Sequence, residues 1–379
     1  MKSQLLPEGF RDGLPDLAEL EYEINSIFLD LMRSNGYMLV KPPLVEFESS
    51  LFFLNNDNEN IDSFRVMDPL TQKIMGIRSD ITMQIARISC GSMSKVRRPL
   101  RLCYSGEILK VKNTNINLSR QFTQIGAEII GIDQDYCLSE VINLVIENLK
   151  CLGIRKFIIN FSMPNLIKLI SEEFNLKDFQ YKLIENCFKN KNLVQVKEIS
   201  LDLFNISEFL LVNTGNIEEK IDVIKKFNFP KRMKLEIDNF VNQINKIKDE
   251  FGDYQIIIDL LEIDESNYHN GFNFTVYSEN SRELFSGGGY KVQGENCVGF
   301  SGLIENFMGE TSIKRNIREK IFVPFDLTQN KKEILKKKKK LVVIMATKKL
   351  HKKELNNEAR KQNCEYYYFN DEICEVEND

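Results

Sequence analysis

The order of strand-like and helix-like segments constrains the fold of this chain most strongly. Two apolar runs typical of strands, Leu100 to Leu109 and Gln121 to Ile130, are joined by a polar loop, and after a strand-like run at 157–161 such runs resume only at 254. Residues 162–250 carry a single glycine, and their apolar side chains follow helical spacing. Because strands joined by short polar loops favour antiparallel pairing, the sequence predicts one antiparallel sheet interrupted by a helical insertion.

The first hundred residues predict the elements at one side of this sheet. Apolar residues at three- and four-residue intervals from Leu17 to Leu31 indicate a helix, which Asn35-Gly36 ends. The run Tyr37 to Val40 is ended by Pro42-Pro43, which predicts an edge strand because proline lacks a backbone donor. Further along, the patterns predict a hairpin from 64–68 and 73–78, a helix at 135–149 and a strand at 157–161.

Strand-like runs resume at 254–261, 272–277 and 283–285. The glycines at 287–289 predict a tight turn between core strands, since no lysine or helix start beside them indicates a phosphate cradle. Beyond residue 318, strands and helices alternate, which is typical of a small α/β domain. The predicted domains are a core at 1–161 and 251–317, a helical insertion at 162–250, and a C-terminal α/β domain at 318–379.

Composition excludes several classes of function. The formal net charge is -4 and the pI about 5.6, so no overall positive field attracts nucleic acid. The eight cysteines form no C-x-x-C pair and there are two histidines, which disfavours a zinc site. The longest apolar run, Leu341 to Ala346, is too short to span a membrane. We therefore expect a cytoplasmic protein with reduced thiols and without a metal or cofactor.

Two features have both a chemical and a structural interpretation. The lysines between Lys331 and Lys353 could contact RNA or a phosphate-rich partner, but a solvated helix face is the preferred interpretation. His269 could act as an acid or base, yet no second histidine or carboxylate pattern accompanies it, so pocket lining or structure is preferred. No P-loop, Rossmann, nucleophile-elbow or H-E-x-x-H motif occurs in the sequence.

Three stretches carry a family resemblance: Gln4 to Pro15, Met67 to Gln84, and Pro99 to Tyr104 together with Ser119 to Glu128. They resemble the regulatory subunits of ATP phosphoribosyltransferase, a family related to histidyl-tRNA synthetase. The resemblance implies an α+β fold of the class II synthetase type. That fold has an antiparallel sheet of six or seven strands flanked by helices, and it dimerises through the helix and strand that precede Pro43.

The family's ATP-binding cations are replaced in this sequence. The resemblance aligns Lys110 and Lys112 with an arginine and a glutamate of the second class II motif, and Asn306 with an arginine of the third. Asp264 stands where the histidine-specific signature has an arginine. Because adenylate formation needs cations around the triphosphate, the resemblance implies a chain with no catalytic residues.

The amino-acid end of the family's pocket is retained. The resemblance implies a polar effector or amino-acid site composed of Arg78, Asp80, Thr82, Gln124, Glu128 and Tyr268. In it, Asp80 and its neighbours hold an α-amino group, two nearby carboxyl groups raise each other's pKa, and Tyr268 lies against a ring. An equal alternative is that the carboxylates are inherited supports of the sheet, hydrogen-bonded to Arg78 or Arg120.

The expected function is that of a non-catalytic subunit. It binds the short-form catalytic subunit of ATP phosphoribosyltransferase and is needed for its activity and for feedback inhibition by histidine. The resemblance implies a homodimer within a hetero-octamer, with histidine as a candidate ligand and no nucleic-acid or membrane partner. One rival is a divergent ligase that forms an aminoacyl adenylate for a non-tRNA acceptor. The other is an RNA-binding module that uses the lysines at 331–353.

Overall fold

A computed structural model describes residues 5–51, 63–112, 118–132, 134–262, 269–313, 319–337, 339 and 341–376, with backbone alone at 134–136 and 269–271. The chain divides into two compact units, Met1–Ile313 and Lys314–Asp379, called unit 1 and unit 2. Within the described ranges, no helix is both long and apolar enough to cross a membrane. The separation of unit 1 into a core and an inserted helical domain stays a prediction.

Unit 1 combines a large sheet and a small one with helices. Its strands are β1 (Met38–Leu39), β2 (Val45–Phe47), β3 (Arg65–Met67), β4 (Ile74–Ile77), β5 (Leu100–Leu109), β6 (Gln121–Ile130), β7 (Phe157–Ser162), β8 (Gly215–Asn216), β9 (Gln255–Ile258), β10 (His269–Ser278), β11 (Glu283–Val292) and β12 (Glu295–Leu303). Its helices are α1 (Pro15–Ser34), α2 (Glu48–Leu51), α3 (Thr82–Cys90), α4 (Gln134–Cys151), α5 (Leu166–Glu173), α6 (Asp178–Lys189), α7 (Val196–Ile199), α8 (Leu201–Val212), α9 (Ile217–Lys226), α10 (Lys231–Phe251) and α11 (Ile304–Met308).

The large sheet has the strand order β1-β5-β6-β12-β11-β10-β7-β9-β8 among the described residues. The strands from β5 to β7 pair antiparallel, as predicted. However, β1 is parallel to β5, and β7 is parallel to β9, so the sheet is mixed and larger than the six or seven strands expected. Both parallel pairs are joined by long connections, which allow the crossover that a short hairpin forbids.

Several predicted elements are confirmed, including the edge position of β1 and the full lengths of β5 and β6. The turn predicted at Gly287–Gly289 is wrong, because these glycines lie inside β11. A Cβ at Gly288 would lie 2.6 Å from the carbonyl oxygen of Phe272, so the missing side chains permit close packing within the sheet. The pattern also failed to reveal β12, where Gly299 and Gly302 interrupt the apolar alternation.

The core of unit 1 lies between the large sheet and its helices. Helix α1 buries Leu20, Ile24, Phe28 and Met32, which are spaced four residues apart and therefore lie on one face. Helix α10 buries a longer stripe of the same kind, composed of Met233, Ile237, Phe240, Val241, Ile244, Ile247 and Phe251. These stripes belong to one continuous apolar cluster that also includes side chains from β7, β10 and β12.

Unit 2 is a small α/β fold. Its elements are β13 (Lys320–Val323), α12 (Gln329–Lys337), β14 (Val342–Met345), α13 (Lys352–Lys361), β15 (Tyr366–Phe369) and β16 (Glu372–Glu375). Strand β13 pairs parallel with β14 and β15, while β16 closes an antiparallel hairpin with β15. The predicted alternation of strands and helices is confirmed, and β16 is an additional strand.

Candidate functional site

The candidate site lies on one face of the large sheet. Directly opposed residues of antiparallel strands project to the same face. The register therefore defines a row of residues across β5, β6, β12, β11, β10 and β7. In that strand order the row consists of Leu102, Glu128, Gly299, Gly288, Asn273 and Ser162. Glu128 is the titratable member of this row, and its carboxyl group is the centre of the site.

Glu128 is buried among tyrosines. Its two carboxylate oxygens accept hydrogen bonds from the hydroxyl groups of Tyr104 at 3.3 Å and Tyr290 at 2.8 Å. Burial raises the pKa of Glu128 to about 8, the Tyr290 bond opposes this shift, and the charge of Asp80 adds to it. Burial, and not the pairing of carboxyl groups expected from the sequence, is therefore the larger cause of the raised pKa. Near pH 7 the carboxyl group is therefore mostly neutral, and a bound cation would favour its ionised form.

Two glycines make room for these side chains. A Cβ added at Gly299 would overlap the carboxylate of Glu128, and one added at Gly126 would overlap the hydroxyl of Tyr104. A small cavity beside Glu128 is lined by Thr82, Ser286, Gly287, Tyr290, Gly299, Phe300 and Ser301. The glycines therefore keep a polar group and an adjoining space on an otherwise crowded sheet.

Asp80, Thr82 and Gln124 lie close to Glu128. The Gln124 amide donates to Asp80 Oδ1 at 2.6 Å, and Gln124 Oε1 accepts from the backbone N–H of Ile81 at 2.8 Å. The Thr82 hydroxyl lies 3.0 Å from the Tyr104 hydroxyl. A continuous hydrogen-bonded chain thus connects the start of α3 with the buried carboxyl group.

Arg78 has a different environment from that expected. Its guanidinium donates to the carbonyl oxygens of Glu107 at 2.7 Å and Pro42 at 3.0 Å, and it contacts Gln84 Oε1 at 3.3 Å. Burial lowers its pKa. Arg78 therefore fastens the diproline segment to β5, and its guanidinium is directed at backbone carbonyls.

Arg120 also lies apart from the carboxylates. Its guanidinium lies over the rings of Phe10 and Phe64, with 5.6 and 4.6 Å to the centroids. Among the described residues, neither arginine bonds to Asp80 or Glu128. The two carboxyl groups are therefore not held in the sheet by Arg78 or Arg120, as the alternative interpretation had expected. The supports of the two carboxyl groups are tyrosines, a threonine and a glutamine instead.

The expected nucleotide end of the site is acidic. The Thr123 hydroxyl lies 2.5 Å from Glu21 Oε1 and 2.8 Å from Glu107 Oε1, and the Thr123 backbone N–H donates to Glu305 at 3.0 Å. Burial raises the pKa of Glu305 to about 7, and the charges of Glu21 and Glu107 add to the shift. Three carboxyl groups around one threonine repel a triphosphate. The sequence patterns had not brought these residues together, because they lie on α1, β5 and α11.

Three of the replaced cation positions, Lys110, Lys112 and Asn306, lie in the described part of the chain. Lys110 is exposed beyond β5, with its Nζ 5.7 Å from the centroid of the Phe122 ring, and Lys112 is exposed two residues later. Asn306 lies in α11. Asp264 and the predicted pocket residue Tyr268 fall in the segment 263–268, outside the described residues.

Tyr104 and Tyr290 are the site residues that sequence reasoning missed. Tyr104 could have been found, because it pairs with Gly126, two residues before Glu128, in a hairpin that was predicted. Tyr290 could not, since its strand had been interpreted as a turn. His269 belongs to β10, where the backbone alone is described. Across the described ranges, no group of three His, Cys, Asp or Glu side chains is placed to hold a metal ion.

The lysine-rich segment belongs to unit 2. Lys331 pairs with Asp371, Lys337 with Glu333 at 3.5 Å, and Lys361 with Glu358 at 2.7 Å. Lys352 and Lys353 are exposed at the start of α13. Charges of this kind, partly balanced by neighbouring carboxylates, are typical of solvated helix faces.

Comparisons with known proteins agree with this geometry. The family model described as histidyl-tRNA synthetase matches residues 9–306. The ATP phosphoribosyltransferase regulatory subunit of Rhodospirillum rubrum is 31% identical over 76% of this chain and 75% of its own. The protein of the same name from Gluconobacter oxydans is 30% identical over 85% of each chain.

Solved structures share the fold at lower identity. A protein from Bacillus halodurans, titled ATP phosphoribosyltransferase regulatory subunit/histidyl-tRNA synthetase, has a TM-score of 0.75 at 19% identity, over 92% of this chain and 94% of that one. The histidyl-tRNA synthetase of Nostoc has a TM-score of 0.76 at 16% identity, over 97% and 91%. The family model and the sequence relatives show that the chain belongs to the histidyl-tRNA synthetase family, among the regulatory subunits of ATP phosphoribosyltransferase.

Proposed function

We propose that this chain is the non-catalytic regulatory subunit of an ATP phosphoribosyltransferase in histidine biosynthesis. It binds short-form catalytic subunits, is required for their activity, and carries feedback inhibition by histidine. Its relatives are named as regulatory subunits of this enzyme, which supports the assignment. The eight free cysteines favour a reducing compartment such as the cytoplasm.

The observation that carries the proposal is the contrast between the two ends of the site. At one end, Asp80 and Glu128 offer carboxyl groups suited to the ammonium of an amino acid. At the other, Glu21, Glu107 and Glu305 surround the place where a synthetase needs cations for a triphosphate. A protein with such a site can recognise an amino acid but is poorly suited to activate it with ATP.

The rival ligase function predicts adenylate formation, which exchange of labelled pyrophosphate into ATP detects. We expect the purified chain with histidine to stay at the no-enzyme blank. Mixed with the catalytic chain encoded in the same genome, it should co-purify and restore phosphoribosyltransferase activity that the catalytic chain lacks alone. Exchange above the blank would support the ligase instead. A catalytic chain that is fully active and histidine-sensitive alone would remove the proposed role.

We also propose a homodimer, within a hetero-octamer, that forms at the β1 edge. Met38 and Leu39 there are 47% and 52% exposed, and Leu44 and Phe47 beyond the prolines are 43% and 41% exposed. An apolar edge strand offers both main-chain and side-chain groups to a symmetric partner. The acidic chain thus has an apolar surface where a second copy can pair.

Leu39→Glu is expected to convert the dimer to a monomer, because two glutamates would face each other across a symmetric edge. Light scattering should then give 44.2 kDa instead of twice that mass. Leu235→Glu is the matched control, since Leu235 is 62% exposed on α10 and far from the edge in sequence. A wild-type chain that is monomeric at micromolar concentration would contradict the proposed interface.

A further inference from the structure

Three buried polar side chains on β7 and β10 have an oxygen without a hydrogen-bond partner among the described residues. They are Asn160 Oδ1, Ser162 Oγ and Asn273 Oδ1, and the residues are 4%, 1% and 5% exposed. A buried acceptor that has lost water and gained no donor costs free energy, so native proteins rarely leave several together. Such a group on the face of the candidate site is a place where a ligand's donor would be favourable.

The sheet register connects these oxygens with Glu128. Asn273 and Ser162 are the last two members of the row that contains Glu128, and Gly299 and Gly288 lie between. The carboxylate of Glu128 occupies the place of a Gly299 side chain, and Asn273 Oδ1 lies 3.0 Å from the Cβ position of Gly288. Since opposed Cβ positions are roughly 5 Å apart, the two oxygens lie within about 10 Å of each other above a glycine floor.

The contacts of Asn160 and Glu262 determine which hydrogen-bonding groups are left without a partner at this end of the row. Asn160 donates through Nδ2 to a Glu262 oxygen, so its unpartnered atom is an acceptor. The Tyr277 hydroxyl donates to the other Glu262 oxygen at 3.1 Å. Burial raises the pKa of Glu262 to about 7. This end of the row therefore presents unpartnered acceptor oxygens, which N–H groups of a ligand would satisfy.

We propose that Asn273 and Ser162 form a second anchor of the amino-acid pocket and select a side chain that carries its own N–H donor. This inference rests on the proposed function, in which Asp80 and Glu128 bind an amino acid. A histidine fits the separation, because its α-ammonium can donate to Glu128 while a ring N–H donates to Asn273 Oδ1, each over about 2.9 Å. An aliphatic or sulfur-containing side chain of the same size would leave the Asn273 oxygen unpartnered.

The test compares two ligands of nearly equal size by calorimetric titration of the full chain. Histidine carries ring N–H groups, whereas 2-thienylalanine has a ring without any. We expect the wild type to prefer histidine at least tenfold. Asn273→Leu, which keeps the size of the side chain, should reduce this preference at least tenfold by weakening histidine alone. Asn273→Asp keeps an acceptor and should retain the preference.

Asn148→Leu is the matched control, because Asn148 Oδ1 is likewise buried and unpartnered but lies on α4. It should lower stability without changing the ratio of the two affinities. An unchanged ratio in Asn273→Leu would mean that Asn273 is a structural amide, and would overturn the anchor while the amino-acid site remains. A wild type that binds neither ligand would overturn both the anchor and the effector site of the proposed function.

Discussion

Glu128→Ala and Asp80→Ala are expected to weaken histidine inhibition of the assembled phosphoribosyltransferase about ten- to one-hundredfold. Each change removes a charged or partly charged hydrogen-bonding group from the amino-acid end of the site. A hydrogen bond to a charged group contributes roughly 1.5–3 kcal/mol, which corresponds to about one to two decades in affinity. The measurement is the histidine concentration that halves enzyme activity, with complex mass recorded in parallel.

The control for this pair is Glu295→Ala. It removes a carboxylate that is bound to Arg98 at 2.9 Å, so a charge is lost elsewhere in the same unit. Inhibition by histidine should then be unchanged within a factor of about two, as expected for a partly exposed ion pair remote from a ligand. If Asp80→Ala and Glu128→Ala both retain full inhibition, histidine acts elsewhere and the two residues serve the sheet alone.

Gly299→Ala is expected to lower the free energy of unfolding by about 2–3 kcal/mol and to abolish histidine inhibition. The added methyl group would overlap the Glu128 carboxylate and lie 2.8 Å from the carbonyl oxygen of Ala127. Overpacking of this kind typically costs about 1–3 kcal/mol, and backbone cannot move aside as a flexible side chain can. Denaturant unfolding followed by circular dichroism measures the first effect, and the inhibition assay measures the second.

Gly13→Ala provides the comparison for this substitution. A Cβ at Gly13 meets no atom within 4 Å, so the variant should differ from wild type by less than about 0.5 kcal/mol. If Gly299→Ala were as stable as Gly13→Ala and equally sensitive to histidine, the described packing of Glu128 above the glycine would be incorrect.

The sequence was most informative where side-chain periodicity determines structure. In β5 and β6, alternation and the polar loop between them predicted both strands with correct ends. In α1, the three- and four-residue intervals predicted the helix and most of its buried face, although Leu17 is exposed and the buried Met32 lies beyond the predicted stretch. These elements are specified by local patterns, and packing reinforces the same choice.

The role of the glycines was the hardest feature to predict, because it depends on the neighbouring strands that pack against them. Gly287 and Gly288 weaken the local strand pattern, yet they permit the close approach of β10, β11 and β12. The site residues likewise differ in whether the sequence alone could reveal them. Asp80 and Glu128 could be recognised from motifs, whereas the role of Asn273 depends on which residue opposes it across two strands. Such information enters only with the register.

The antiparallel pairing of β6 with β12 affects how the chain folds during its synthesis. Ile130 pairs with Cys297, although 167 positions separate them in the sequence. At typical rates of synthesis, on the order of 10–30 s pass between the emergence of the two strands from the ribosome. During that time the free side of β6 can pair with any exposed strand.

Mainly helical segments are synthesised during this interval. Most of the residues made between β7 and β9 belong to helices α5 to α10, whose contacts are largely local. Local contacts form quickly, whereas the closure of the sheet must wait for β10 to β12. Newly made chains are therefore most prone to aggregate late in synthesis, and a chain released before residue 303 would keep β6 as an open edge.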